Sequence, residues 1–233
     1  MAYDDFTVVL PTLNEAKNIA PIIKGIRTYR RIRILVMDDG STDGTCDIVK
    51  KLAKKYRNIS LVNRKELNLQ KGLTASVIDG FKKTKTKYAI VMDADMQHPV
   101  EKVGELASAL LEGADLAVAV RTKISNWPFY RKLISKILIT LGYLVLLLRG
   151  DERCGDIFSG FFGIRRDAFT KTYSKNHTRF VPGGYKVLFD FLKCISSGSL
   201  TIAEIPYTFG IRKADSSKAG IKQGLLVLKS FIT

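Results

Sequence analysis

Two carboxylates one residue apart, Asp93 and Asp95, follow the apolar run Tyr88–Met92 and precede Gln97, His98 and Pro99. Side chains on a strand alternate faces, so Asp93, Asp95 and Gln97 share one side if the extended geometry persists. Oxygen-bearing side chains grouped in this way suit a hard divalent cation. Such an ion takes one or two carboxylates and keeps positions open for substrate phosphates. Bound there, it neutralises a leaving diphosphate as a Lewis acid. Asp-x-Asp alone is a weak signal, and its plain alternative is a soluble turn at a strand end. A second acidic pair, Asp38-Asp39, ends another apolar run and favours the metal reading.

The elements that must position these residues alternate. Phe6–Leu10 is a strand-like run ended by Pro11, and Asn14 is placed to cap the amphipathic stretch after it. Ile32–Met37 is a second run, followed by turn and cap residues Ser41 and Asp43 and a helix through Tyr56. Ile59–Val62, a helix over about Gln70 to Lys83, Tyr88–Met92 and Leu116–Val120 continue the pattern. This βαβα order predicts an α/β fold with a mostly parallel central sheet and helices on both faces. Ligands in such folds bind beyond the carboxyl ends of the strands. That rule selects Thr12–Glu15, Asp38–Gly40, Asp93–Gln97 and Arg121. The second half is less regular: a helix or helix pair over Pro128–Leu148, strands at Phe161–Ile164 and Thr201–Phe209, a helix including Leu188–Ile195, and the apolar run Gly224–Ile232. Nothing in the pattern requires a second domain, so residues 1–233 read as one catalytic domain.

The hydrophobic fraction of 46% against 26% charged excludes a disordered chain. A net charge of +16 directs it to polyanions: nucleic acid, an anionic membrane or phosphorylated substrates. Nucleic acid is disfavoured. There is no helix-turn-helix, zinc-ligand spacing or RNA-binding aromatic signature, and acidic strand ends repel a phosphate backbone. Cys46, Cys154 and Cys194 lack metal-ligand spacing and read as reduced packing thiols facing a cytosolic compartment. No signal peptide opens the chain. The longest apolar candidate, Leu133–Leu148, is interrupted by Ser135, Lys136, Thr140 and Gly142, so no membrane span is expected. Within residues 127–148, Arg131, Lys132 and Lys136 interleave with Leu133, Ile134, Ile137 and Leu138 behind Trp127, Phe129 and Tyr130. That pattern fits a helix lying in a headgroup layer, and equally an ordinary core helix. Residues 220–233 form a second candidate membrane-interface segment, with Lys222 and Lys229 beside an apolar run.

Three ordered motifs, Pro11-Thr12-Leu13-Asn14-Glu15, Asp38 through Thr45, and Asp93-Ala94-Asp95-Met96-Gln97-His98-Pro99, resemble the successive signatures of inverting, family-two glycosyltransferases with the GT-A (Rossmann-like) fold. Asn126 through Ser135, Asp156 through Phe162 and Ile205 through Arg212 followed by Ser217-Lys218 are similar to dolichol-phosphate mannosyltransferases. Those enzymes move mannose from GDP-mannose to a membrane polyprenyl phosphate. The resemblance implies that Pro11, Leu13, Glu15, Met37, Asp39, Asp93 and Ala94 bind the donor nucleotide. It implies that Asp93, Asp95 and Gln97 hold Mg²⁺ or Mn²⁺, and that Asp95, Arg121 and Arg131 are catalytic. Arg131, Arg212 and Lys218 would meet phosphates. Relatives often carry an aromatic residue where Leu13 stands, which would remove a stacking surface. Several relatives continue into transmembrane helices whereas this chain stops at Thr233, which implies a membrane-anchoring subunit or a longer protein.

The chemistry agrees with a phosphate acceptor. His98 and His177 are the only histidines, and no compelling general base is present. Transfer to a sugar hydroxyl needs such a base. A phosphate monoester is already an anion near neutral pH, its second pKa being about 6, and needs only cations to position it. Guanidinium forks grip phosphate oxygens in pairs and lysine acts as a point charge. Asp156 could orient the acceptor or tune an arginine, or could simply cap a turn. The expected enzyme is therefore peripheral, on the cytosolic face of an endoplasmic reticulum or prokaryotic plasma membrane. A UDP-glucose-dependent dolichyl-phosphate glucosyltransferase is the alternative, since its phosphate and metal motifs would look alike.

Overall fold

The computed structural model describes residues 3–124, 129–210 and 221–233. Strands β1 (Phe6–Thr12), β2 (Arg33–Asp38), β3 (Ile59–Asn63) and β4 (Tyr88–Val91) pair in parallel, joined through α1 (Ala16–Ile26), α2 (Thr45–Lys55) and α3 (Leu73–Lys83). After them come α4 (Lys102–Leu111), β5 (Leu116–Ile124), α5 (Phe129–Arg149), β6 (Phe162–Arg165), α6 (Arg166–Asn176), α7 (Val187–Leu192), β7 (Ile202–Phe209) and α8 (Ile221–Ile232). The strand order is β3-β2-β1-β4-β6-β5-β7. β6 runs antiparallel to both β4 and β5, and β5 pairs with β7 in parallel. The fold is thus the expected mostly parallel sheet, with one reversed strand set between β4 and β5.

Both faces of the sheet are buried, which is why its strands read as nearly continuous apolar runs. Phe6, Val8, Leu10, Ile34 and Val36 pack with Ile19 and Ile22 of α1, Val49 of α2 and Leu106 of α4. The alternate residues Val9, Leu35, Met37 and Val91 pack with Val77 and Phe81 of α3, Phe169 of α6 and Phe189 of α7.

Two local expectations are corrected. β1 does not stop at Pro11 but runs on to Thr12. The Val9 carbonyl accepts from Met92 on the β4 side and the Thr12 carbonyl from Asp39 on the β2 side. Pro11 therefore turns toward β4, whose pairing has already ended at Val9, so its missing N–H breaks no ladder bond. Asn14 does not cap α1. Its backbone is left-handed, with φ 54, and its Oδ1 accepts the Thr42 N–H at 2.8 Å. The α1 start is capped from a distant loop: Ala16 N–H donates to Asp43 Oδ2 and Glu15 N–H to Thr45 Oγ1, each at 2.9 Å. These bonds lock together the loops after β1 and β2, where ligands of this architecture bind.

α5 crosses the loop before β6 closely at Gly142, where a Cβ would stand 2.8 Å from Ile157 Cδ1. Its outer face leaves Leu133, Ile137, Leu141, Leu144 and Leu148 exposed at helical spacing, and α8 likewise exposes Leu225, Leu228 and Ile232. Among the described residues, no helix is long and apolar enough to cross a membrane.

Candidate active site

The site is built at the carboxyl ends of β1, β2, β4 and β5. Asp38, fully buried, shapes the turn after β2: Oδ1 accepts the N–H groups of Gly40 and Ser41 at 3.0 and 2.8 Å, and Oδ2 accepts the Thr12 hydroxyl at 3.0 Å. Asp39 faces α3. Its Oδ2 accepts the Gly72 N–H at 2.9 Å and its Oδ1 pairs with the Arg64 guanidinium. Arg64 is fully buried and also reaches Asp79 Oδ2 and the Ser76 hydroxyl, both at 2.8 Å, and the Gln70 carbonyl at 2.6 Å. Burial pushes the Asp39 carboxyl above the usual carboxylate range, against the lowering pull of the Gly72 N–H and Arg64.

Gly72 precedes α3 with φ 136, and a Cβ there would lie 2.3 Å from the Pro182 carbonyl oxygen. The first N–H groups of a helix lack partners within it. In α3 those of Thr74 and Ala75 donate to the Gly184 and Pro182 carbonyls at 3.0 Å each. The loop before α7 is thereby fastened to the helix that holds Asp39.

After β4 the geometry differs from the expectation. The strand ends at Val91, the chain bends from Ala94 to Met96, and Met96 adopts left-handed backbone with φ 65. Asp93, Asp95 and Gln97 therefore do not share one face of a continuing strand. Instead Asp95 Oδ1 accepts the Gln97 N–H at 3.1 Å, and Gln97 Nε2 donates to the Gly210 carbonyl at 3.1 Å, tying the acidic turn to the end of β7. Asp93 is steadied by a relay. Burial raises the Tyr207 phenol, which stays protonated and donates to His98 Nδ1 at 2.9 Å. His98 Nε2–H then faces Asp93 Oδ2 at 3.4 Å. His98, with both ring nitrogens engaged, orients a carboxylate rather than serving as a base.

The other oxygen, Asp93 Oδ1, is buried with no hydrogen-bond partner among the described residues. Gly160 lies so close that a Cβ would meet Asp93 Oδ2 at 2.6 Å. An orphaned carboxylate oxygen in a space kept clear by glycine fits a cation-binding position. Among the described residues no three His, Cys, Asp or Glu side chains converge as a ligand set. Two carboxylates completed by substrate phosphates is the arrangement Mg²⁺ ordinarily accepts. Nearby, Arg121 Nε and Nη2 fork onto Asp156 Oδ2 and Oδ1 at 2.6 and 2.8 Å. Burial opposes the Arg121 charge, but Asp156 more than restores it.

The other expected positions divide. Leu13 is exposed and Glu15 is buried, its carboxylate accepting from Asn18 Nδ2 at 2.7 Å. Met37 and Ala94, expected at the donor nucleotide, have buried side chains, Met37 in the cluster with Val77 and Phe81 of α3 and Ala94 in the cluster with Ile19 of α1 and Leu106 of α4. The Arg131 side chain, Arg212 and Lys218 lie outside the described residues. Two further residues stand beside these positions. Arg64 directly follows β3, at a strand end like the others. Lys186 lies near Asp93, Arg121 and Asp156, and only the Gly183-Gly184 pair before it hinted at a tight backbone approach. An open recess between α3 and α6, lined by Lys82, Phe169, Tyr173 and His177, sits at the far end of α3 from Gly72 and takes no part in the site.

Residues 7–172 match the family model described as glycosyl transferase family 2. The chain is 36% identical over 219 residues to the dolichol-phosphate mannosyltransferase of Pyrococcus furiosus, covering 91% of this chain and 58% of that protein. It is 30% identical to the polyprenol monophosphomannose synthase of Mycolicibacterium smegmatis, covering 91% of this chain and 79% of the relative. Glucosyl-3-phosphoglycerate synthase from Mycobacterium tuberculosis, solved with Mn²⁺, UDP-glucose and glycerol 3-phosphate, superposes with a TM-score of 0.65 at 22% identity, over 97% of this chain and 76% of that one. The last likeness speaks to the GT-A fold alone.

Proposed function

Because the chain belongs to glycosyl transferase family 2 and is a homologue of the dolichol-phosphate mannosyltransferases, we propose that it transfers mannose from GDP-mannose to the phosphate of a membrane polyprenol, with inversion. The observation that carries this reading is the likeness, over 91% of the chain, to a protein named dolichol-phosphate mannosyltransferase.

In this reading Asp39, held by Arg64 and Gly72, binds the donor nucleoside with Leu13 and Glu15, and the backbone of Pro11 borders them. Asp93 and Asp95, with Gln97 beside them, would hold Mg²⁺ or Mn²⁺. When bound, that cation neutralises charge on the leaving diphosphate. Arg121, fixed by Asp156, would meet the phosphates, a role the resemblance also gives to Arg131, Arg212 and Lys218. An oxygen of the acceptor phosphate forms the new bond to the anomeric carbon as the bond to the diphosphate breaks on the opposite face. The acceptor oxygen carries no proton to remove, so the engagement of His98 by Tyr207 and Asp93 costs the reaction nothing.

The test is direct. The protein is incubated with radiolabelled GDP-mannose or UDP-glucose, Mg²⁺ or Mn²⁺ and a short polyprenyl phosphate. Label should enter the organic phase from GDP-mannose. Label from UDP-glucose alone would assign the chain to glucosyl transfer.

A polyprenyl phosphate acceptor would bring the enzyme to a membrane, and the exposed apolar stripes of α5 and α8 offer a contacting surface. They are flanked by exposed Lys132, Lys136 and Lys229. Each basic residue near an anionic surface contributes about 1 kcal/mol. We read the protein as peripheral, on a cytosolic membrane face, with room for an anchoring subunit. Co-sedimentation with anionic vesicles should be strong at low salt and fall as salt rises, since the Debye length shrinks to about 8 Å at physiological ionic strength. Lys132→Gln with Lys136→Gln and Lys229→Gln should weaken it further while sparing transfer to a water-soluble acceptor. Absence of vesicle binding at low salt would assign these faces to a protein partner.

A further inference from the structure

Lys186 is placed where the two halves of the site meet. Its loop is fastened to the start of α3 through the Pro182 and Gly184 carbonyls, and α3 in turn carries the Gly72 N–H that binds Asp39. Its ammonium lies over the rings of Tyr185 and Phe158, at 4.3 and 5.1 Å from their centroids. Among the described residues, Nζ has one hydrogen-bond acceptor, the Phe158 carbonyl at 3.3 Å. Phe158 belongs to the short loop that also supplies Asp156 to Arg121 and Gly160 to the Asp93 carboxylate.

An ammonium has three donors, and this one uses a single carbonyl. Among the described residues no carboxylate forms an ion pair with it: both Asp156 oxygens are taken by Arg121, Asp93 Oδ2 faces His98, and Asp93 Oδ1 makes no hydrogen bond to it. Burial lowers the Lys186 ammonium to about 7, and the Arg121 cation pushes the same way, while Asp156 and Asp93 oppose it. Lys186 is half-buried, and a partly desolvated cation left beside another cation is costly unless an anion joins them. A structural lysine would be expected to close on a carboxylate, as Lys193 does on Asp190 at 3.0 Å.

We propose that Lys186 Nζ is a phosphate-binding group of the active site, contacting anionic oxygens between Asp93 and Arg121. The proposal rests on the glycosyl-transfer reading above. The oxygens belong either to the donor diphosphate or to the acceptor monoester, and one experiment separates the two. Lys186→Met keeps the apolar stem over Phe158 and Tyr185 but removes the charge, and Lys186→Arg restores it. Binding of GDP and of guanosine is measured by calorimetry, and kcat and KM for GDP-mannose and a short polyprenyl phosphate by organic-phase label.

If the donor is the source, Lys186→Met should weaken GDP about tenfold or more with guanosine binding unchanged. If the acceptor is the source, GDP affinity should hold while KM for the polyprenyl phosphate rises by a similar factor. In either case Lys186→Arg should recover part of the loss. The idea is overturned if Lys186→Met changes neither, or if nucleoside and nucleotide binding fall together with the melting temperature, as a packing role requires. Failure of the wild-type protein to label any lipid would instead refute the reaction, and the GDP-versus-guanosine comparison would still test the lysine.

Discussion

Asp95→Ala is expected to lower transfer by more than about a hundredfold, the scale on which loss of one electrostatic stabiliser acts, while the fold survives. Asp95 is half-buried in the turn after β4, beside the Asp93 carboxylate whose Oδ1 has no partner among the described residues. Removing it halves the negative charge that would hold a cation against a leaving diphosphate. It also removes the acceptor of the Gln97 N–H. That bond is worth only about 1 kcal/mol, so the melting temperature should move by a few degrees at most. Asp95→Asn separates the two roles, because an amide oxygen still accepts the Gln97 N–H but carries no charge. Both variants should lose activity together. If Asp95→Asn turns over normally and Asp95→Ala does not, Asp95 only shapes the turn.

The second large effect is on stability. Arg64 has no exposed side-chain surface, and its partners Asp39 and Asp79 are 13% and 23% exposed. Removing one partner of a buried ion pair leaves the other charge uncompensated, at a cost of about 3 kcal/mol or more. Arg64→Met should therefore lower the melting temperature by roughly 6–12 °C for a chain of this size. It should also weaken donor binding, because Asp39 loses the group that aims it. Adding Asp79→Asn to Arg64→Met should recover stability but not donor affinity, since it relieves one stranded carboxylate and leaves Asp39 unheld. Equal melting temperatures for wild type and Arg64→Met would mean that other contacts hold both aspartates.

The sequence by itself determined the strands, most of the helices and the acidic strand ends. Buried parallel strands leave nearly unbroken apolar runs such as Ile34–Met37 and Ala89–Met92, and the carboxylates Asp39, Asp93 and Asp95 follow directly after them, where ligands of this architecture bind. Element identity and strand-end position are local properties, and local patterns record them.

Only the tertiary structure decided what those residues touch. Met96 takes a left-handed backbone that no residue type there announced, and that bend, not strand alternation, sets Asp93 and Asp95. β6 enters the sheet against its neighbours because pairing with β4 and β5 is a long-range choice, and its loop is what brings Asp156, Phe158 and Gly160 to the site. Arg64 and Lys186 look in sequence like any of 38 basic residues. Burial against Asp39 and Asp79 distinguishes the first, and the docking of its loop onto the start of α3 distinguishes the second. A side chain's charge is written in the sequence, but its solvation and its neighbours are set by which distant segments pack on it.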